Sequence, residues 1–108
     1  MISKDNLRII HTILHSRKAE AYKIKSNNQG ARYRGAIGDI TVDEWFKLIS
    51  SYHYTCLRCR QQEPNIILTI DHIVPVSKGG QNTIDNIQPL CSSCNCIKNT
   101  KTTDYRRR

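Results

Sequence analysis

The chain has 108 residues, of which 38% are hydrophobic, and 17 Lys and Arg against nine Asp and Glu give it a formal net charge of +8. A chain this short forms one domain with a small core, so we expect something besides apolar packing to stabilise it. The sequence contains neither an apolar run of the roughly 18 residues that a membrane span requires nor a recognisable signal peptide. It therefore argues against a membrane protein or a secreted disulfide miniprotein, and predicts a cytoplasmic location. The positive charge favours nucleic acid as the partner over an anionic membrane surface.

The first predicted element is a helix over residues 4–26, with Ser3 as its N-cap. Its apolar residues recur at helical spacing: Leu7, Ile10, Ile13, Leu14 and Ala21. The Asn-Asn-Gln-Gly run at 27–30 breaks this periodicity, so the helix is expected to end there. Residues 1–35 are predicted to form a basic helical arm, whose charged face either follows phosphates or is simply solvated.

A second helix is predicted to begin after Thr41. Thr41 and Glu44 have the spacing of a capping box. Apolar residues then recur at helical spacing up to Tyr52, with Trp45 and Ile49 between. We interpret this stripe as core, with Trp45 docking the helix on the rest of the domain.

Five cysteines carry the strongest signal in the chain. Cys56 and Cys59 form one C-x-x-C pair, Cys91 and Cys94 form another, and Cys96 is left over. Two such pairs supply the four thiolates of a tetrahedral structural zinc site. An odd count without an export signal fits a disulfide framework poorly, and two separated pairs do not fit a thioredoxin-like redox motif. Cys96 is expected to pack as a small hydrophobe.

Thirty-one residues separate the two cysteine pairs, which leaves room for a folded unit. A strand is predicted over 66–70, ending at Asp71-His72, then a flexible loop, a turn or short helical segment at 83–86, and a helix from Ser92 to about Lys101. Residues 102–108 are predicted to be a basic tail, of which Tyr105-Arg106-Arg107-Arg108 are expected to be disordered.

The order of polar residues between and after the cysteine pairs resembles the HNH endonuclease family, as found in small stand-alone bacteriophage nucleases. The resemblance is carried by Asp71-His72-Ile73-Val74-Pro75, Gly79-Gly80, Asp85-Asn86 through Cys91, Cys94-Asn95 and Lys98. It implies an α+β fold in which a small ββα-metal (His-Me finger) core over residues 36–101 is joined by a four-cysteine zinc site and preceded by N-terminal helices.

The resemblance also assigns roles. His72 matches the general base, Asp71 and Asn95 match ligands of a catalytic Mg²⁺ or Mn²⁺, and Asn86 matches the residue that steadies the loop and orients the histidine. Asp71 and His72 would point to opposite faces of a regular strand, so we expect the strand geometry to break there. The phosphate contacts are predicted to be Arg32, Arg34, Lys98 and Lys101.

The sequence thus predicts a metal-dependent endonuclease acting on DNA in a bacterial cytoplasm, as a monomer, a homodimer or part of a larger phage complex. A zinc-containing DNA-binding module without catalysis is the alternative, since it would need the cysteines and basic residues alone. A nuclease or binder of RNA is a third interpretation.

Overall fold

The computed structural model describes residues 17–106. Three α-helices and a two-stranded antiparallel sheet make up this part of the chain, which confirms the α+β class. The helices are α1 (Arg17–Tyr33), α2 (Val42–Ser51) and α3 (Ser92–Lys98), and the strands are β1 (Leu68–His72) and β2 (Ile87–Cys91). Short 3₁₀ helices cover Val76–Lys78 and Ile84–Asn86. None of the described helices is both long and apolar enough to cross a membrane.

The sheet and the last helix form a ββα unit. In the register of the two strands, Leu68 lies opposite Cys91 at one end and His72 lies opposite Ile87 at the other. Helix α3 follows β2 without a loop and packs against both strands. Cys91 therefore belongs to the end of a strand and Cys94 to the first turn of a helix, which places the second cysteine pair at a rigid junction.

Helix α1 runs past the predicted stop. The Asn-Asn-Gln-Gly run at 27–30 lies inside the helix, which ends at Tyr33, so the predicted boundary near residue 26 is wrong. The side chains of Asn27 and Asn28 hydrogen-bond to distant residues, Asn82 and Ile40, and Ala31 is buried. Tertiary contacts therefore compensate the weak helix propensity of this run. The predicted N-cap Ser3 and the helix over 4–16 lie outside the described residues.

Helix α2 has the predicted capping box, in which the Glu44 backbone N–H donates to Thr41 Oγ1 and Thr41 N–H donates to the Glu44 carboxylate. Trp45 is fully buried, which confirms its place in the core. Its indole N–H donates to Glu20 Oε2 at 2.9 Å, so the buried tryptophan also joins α2 to α1. The same core cluster contains Cys56, Cys91 and Cys94.

Strand β1 begins later than predicted and ends at His72, as predicted. It starts at Leu68 rather than residue 66 and includes both Asp71 and His72 in regular antiparallel pairing, so the expected break in geometry is wrong. The two side chains point to opposite faces of the hairpin, as strand alternation requires. Helix α3 ends at Lys98 rather than near Lys101, because Asn99 adopts a positive φ of 51°.

The end of the chain is packed, at least to Arg106. The buried side chain of Gln88 donates to the Thr103 carbonyl and accepts from the Tyr105 backbone N–H, each at 2.8 Å. Arg106 donates to the Asp85 carbonyl at 2.8 Å. The prediction of disorder is therefore wrong for Tyr105 and Arg106; Arg107 and Arg108 lie outside the described residues.

Candidate functional site

The four cysteines of the two C-x-x-C pairs converge. The Sγ atoms of Cys56, Cys59, Cys91 and Cys94 all lie within 4.8 Å of one another. Cys59 Sγ and Cys91 Sγ are 3.9 Å apart. Thiolates bound to zinc at about 2.3 Å in a tetrahedron are about 3.8 Å apart, so this cluster fits a structural zinc ion.

The surroundings of these thiols shift their pKa values in opposite directions. Burial acts to raise the pKa of Cys56, but backbone N–H donors outweigh it and lower the pKa to about 7. Burial raises the pKa of Cys94 to about 12, although Arg58 donates to its sulfur at 3.6 Å. Zinc would supply the charge that holds all four as thiolates.

Cys96 is not part of this cluster. It is exposed, so the prediction that it packs as a small hydrophobe is wrong, and it lines a separate cleft.

That cleft has a volume of about 500 Å³ and brings together most of the predicted catalytic residues. Asp71 and His72 from β1 and Asn95 from α3 line it, together with Arg34 from the segment after α1. Asn86 is not among the lining residues. The structure thus unites three of the four predicted catalytic positions around one space.

Asp71 is buried beside a buried lysine. Its Oδ2 accepts a hydrogen bond of 2.8 Å from Gln88 Nε2 and lies 3.3 Å from Lys98 Nζ. Burial raises the pKa of Asp71 above its usual range, and the Gln88 bond and the Lys98 charge oppose that rise. The carboxylate is therefore oriented by two partners on one oxygen.

Lys98 was a predicted phosphate contact, and the structure corrects that placement. Its side chain is fully buried, and its ammonium group also donates to the His72 carbonyl at 3.0 Å. A lysine in this position acts as an internal counter-ion between α3 and β1. Its positive charge thus compensates the buried Asp71 carboxylate and does not face solvent.

His72 lies on the other face of β1. Its Nε2 is 2.9 Å from Asn82 Oδ1. Burial lowers the pKa of His72 below its ordinary value; the Asn82 hydrogen bond opposes this, and the positive charge of Arg34 adds to it. A histidine with a lowered pKa is neutral near pH 7, which is the form that accepts a proton.

Asn95 presents its amide to the same cleft. Its Nδ2 donates to Thr69 Oγ1 at 2.9 Å, and the Thr69 hydroxyl donates to the Leu90 carbonyl. These bonds fix which end of the amide is nitrogen, so Oδ1 is left as the ligand atom. A carboxylate oxygen of Asp71 and an amide oxygen of Asn95 are the hard donors that Mg²⁺ and Mn²⁺ prefer, so the residues fit a catalytic divalent ion.

Asn86 holds the loop that follows β1. Its Oδ1 accepts from the Val74 backbone N–H at 3.0 Å, and its Nδ2 donates to the carbonyls of Val74 and Gln81. Its own carbonyl accepts from the Ile73 N–H at 2.8 Å. Asn86 therefore closes the loop between the strands and acts on His72 only through the backbone.

The other predicted phosphate contacts lie on the surface. Arg34 is exposed beside the cleft, and its Nε donates to the Gly30 carbonyl. Arg32 forms an exposed ion pair with Asp39 at 2.8 Å, and Lys101 is exposed beyond the end of α3. Arg34 is thus the one of these residues that the structure places at the cleft with His72.

Two residues that hydrogen-bond to the predicted site residues were not predicted from the sequence. Asn82 contacts His72, and Gln88 contacts Asp71. Gln88 carried a faint signal, a polar residue in an otherwise apolar run before Cys91. Asn82 carried none, because its partners Asn27, Asn28 and Gly38 lie more than 40 residues away in the chain.

The described residues thus form a small α+β domain that contains a hairpin with a helix packed on it, a four-cysteine cluster that fits zinc and a cleft lined by a histidine. Residues 56–101 match the family model of the HNH endonucleases, so this segment is an HNH domain, as its resemblance implied. No curated protein and no solved structure matches the chain significantly.

Proposed function

We propose that this protein is a metal-dependent endonuclease that hydrolyses phosphodiester bonds in DNA. The observation that supports this most is the convergence of His72, Asp71 and Asn95 on one cleft of an HNH domain. The chain's positive charge is consistent with a polyanionic substrate.

His72 is the general base in this proposal. The neutral imidazole takes a proton from the attacking water, and the lowered pKa of His72 keeps the ring neutral at pH 7. Attack at phosphorus then breaks the bond to the 3′ oxygen, and the products carry a 5′-phosphate and a 3′-hydroxyl.

Asp71 and Asn95 would hold a Mg²⁺ or Mn²⁺ ion, which would supply stabilisation of the negative charge that develops in the reaction. Lys98 and Gln88 orient the Asp71 carboxylate from behind, and Arg34 adds positive charge at the mouth of the cleft. The four cysteines would hold a structural zinc ion at the start of α3, on which Asn95 lies directly after Cys94.

A plasmid-nicking assay on the zinc-loaded full chain tests the proposal. We expect open-circular DNA to form with Mg²⁺ or Mn²⁺, and not with EDTA or with the H72A variant. Because EDTA also competes for zinc, a second control omits the divalent ion without adding a chelator, and circular dichroism should show that the fold persists in this control.

The non-catalytic DNA-binding module is the alternative, since the buried Asp71–Lys98 pair also stabilises the fold. Wild type and H72A that bind plasmid equally and leave it supercoiled would favour this alternative. Cleavage of structured RNA in preference to DNA in direct competition would instead assign the activity to RNA.

A further inference from the structure

Asn82 is a fully buried asparagine between the Gly79-Gly80 pair and the second 3₁₀ helix. A buried amide needs hydrogen-bond partners for all of its polar atoms. Its Oδ1 lies 2.9 Å from His72 Nε2 and accepts from Asn27 Nδ2 at 3.0 Å. Its Nδ2 donates to Asn28 Oδ1 at 2.9 Å and to the Gly38 carbonyl at 3.1 Å.

The orientation of these amides follows from the backbone. Asn28 pairs with Ile40, whose N–H donates to Asn28 Oδ1 and whose carbonyl accepts from Asn28 Nδ2. A backbone N–H only donates and a carbonyl only accepts, so the oxygen and nitrogen of Asn28 are assigned by their partners.

The orientation of the Asn82 amide follows from that of the Asn28 amide. Asn28 Oδ1 and the Gly38 carbonyl are both acceptors, so the Asn82 atom that faces them is the NH₂ group. The atom that faces His72 is then the Asn82 oxygen, which is only an acceptor. In this bond His72 Nε2 must therefore donate its proton.

We infer that Asn82 is a positioning residue that holds neutral His72 with its proton on Nε2 and its lone pair on Nδ1. This assignment rests on the proposed function, in which His72 is the base, and it identifies Nδ1 as the atom that accepts the proton from water. It also assigns a role to Asn27 and Asn28 of α1, because both hydrogen-bond to the Asn82 amide. That amide in turn hydrogen-bonds to His72.

The segment before α2 packs closely against the backbone of Asn82. The Asn82 N–H donates to the Ile37 carbonyl at 2.8 Å. Gly38 has a φ of 99°, and a Cβ there would lie 2.8 Å from the Asn82 carbonyl oxygen and from Thr83 Cγ2. The chain before α2 therefore lies directly against Asn82, and only a glycine fits at the closest approach.

The first measurement uses the wild-type protein. The ¹⁵N shifts of the His72 ring, recorded on the zinc-loaded chain above the His72 pKa, should show the proton on Nε2, and its Hε2 signal should exchange slowly. A proton on Nδ1, or an Hε2 that exchanges as fast as that of exposed His53, would overturn the inference without any variant.

Two variants then separate positioning from a merely structural role. N82L removes the acceptor at similar volume, so we expect fast Hε2 exchange, a mixture of ring tautomers and about 10–100-fold slower nicking. N82D keeps an oxygen opposite Nε2 and should keep the wild-type tautomer, even where the lost donors to Asn28 and Gly38 lower its melting temperature.

N65L, at an exposed asparagine, is the matched control and should leave nicking and the ring signals unchanged. An N82L variant with the wild-type tautomer and exchange rate would overturn the inference. A wild type with the proton on Nε2 but no nicking in Mg²⁺ or Mn²⁺ would contradict the proposed function and leave the positioning of His72 standing.

Discussion

The two ends of the β-hairpin are stabilised in different ways. At the cysteine end, defined here as the four clustered cysteines, Leu68 lies opposite Cys91. At the histidine end, defined as Asp71, His72, Asn82 and Lys98, the hairpin register is four residues further along, about 14 Å away. The cysteine end has four clustered thiols that fit one zinc ion, whereas the histidine end has buried hydrogen bonds and one buried ion pair.

We therefore expect the cysteine end to determine the stability of the domain and the histidine end to determine its chemistry. Zinc bound at the cysteine end would contribute its binding free energy to folding, because a preformed site rarely exists in an unfolded chain. The histidine end needs each polar group in one orientation, and it obtains this from amides whose partners are fixed by the backbone. The predictions below test each end in turn, from the largest expected effect to the smallest.

Loss of a zinc ligand should have the largest effect. We expect C56S or C91S to abolish the cooperative thermal transition, because a three-thiolate site loses the metal on which folding depends. The measurements are zinc content and melting followed by circular dichroism. C96S is the matched control, since the exposed Cys96 lies outside the cluster, and it should melt like wild type. A cooperative transition in zinc-free protein would contradict the role of the metal.

Removal of the buried counter-ion at the histidine end should come next. K98M leaves the Asp71 carboxylate buried without its cation, and we expect it to lower the unfolding free energy by about 3–5 kcal/mol. Urea denaturation measures this loss, with K101M at an exposed lysine as the control. The double variant D71N/K98M should recover much of the stability. Equal stability of K98M and K101M would mean that the ion pair is not what stabilises this end.

Glu63, close to the cysteine end, gives a pH-dependent test. It is 8% exposed, it accepts from the Leu68 N–H at 3.4 Å, and burial raises its pKa from 4.5 to about 7. The folded state therefore keeps this proton up to about pH 7, while the unfolded state loses it near 4.5, so stability falls as the pH rises between these values.

The E63Q variant carries no such proton. Its stability relative to wild type should rise by about 3 kcal/mol between pH 4.5 and pH 7. Comparison of the two proteins by urea denaturation at each pH cancels the pH dependence of zinc binding. A difference that stays constant across this range would show that Glu63 titrates normally.

The basic surface should give the smallest effect. Arg34 lies exposed at the cleft, whereas Arg32 is already paired with Asp39. We expect R34A to lower the slope of log affinity for DNA against log salt concentration by about one, and R32A to change it less. Fluorescence anisotropy with a labelled duplex measures both slopes. A larger effect of R32A would place the DNA away from the cleft.

The cysteine end and the histidine end also differ in how much of each could be predicted from the sequence. The cysteine end was predictable because two C-x-x-C pairs are local patterns with one chemistry, and the capping box of α2 was predictable for the same reason. The histidine end was predictable only in its motif positions. The extension of α1 through Asn27 and Asn28, the burial of Lys98 and the contact with Asn82 depend on partners far away in the chain, which local propensity does not contain.

The remaining difference between prediction and structure concerns the geometry of β1 at Asp71 and His72. The sequence indicated that the strand must break for Asp71 and His72 to serve one site, yet β1 keeps its pairing through both residues. Both residues line the same cleft, as do Thr69 and Ile70, so side chains from both faces of β1 border this space without a break in the pairing.

The central claim is that His72 in this cleft is a catalytic base, and a matched pair of variants tests it most directly. H72N and H53N make the same substitution, one in the cleft and one at an exposed position with positive φ that asparagine tolerates. Plasmid nicking is measured with both zinc-loaded proteins in Mg²⁺ or Mn²⁺ after equal melting temperatures have been confirmed. The account predicts that H53N nicks at the wild-type rate and H72N does not nick detectably; equal rates for the two variants would contradict it.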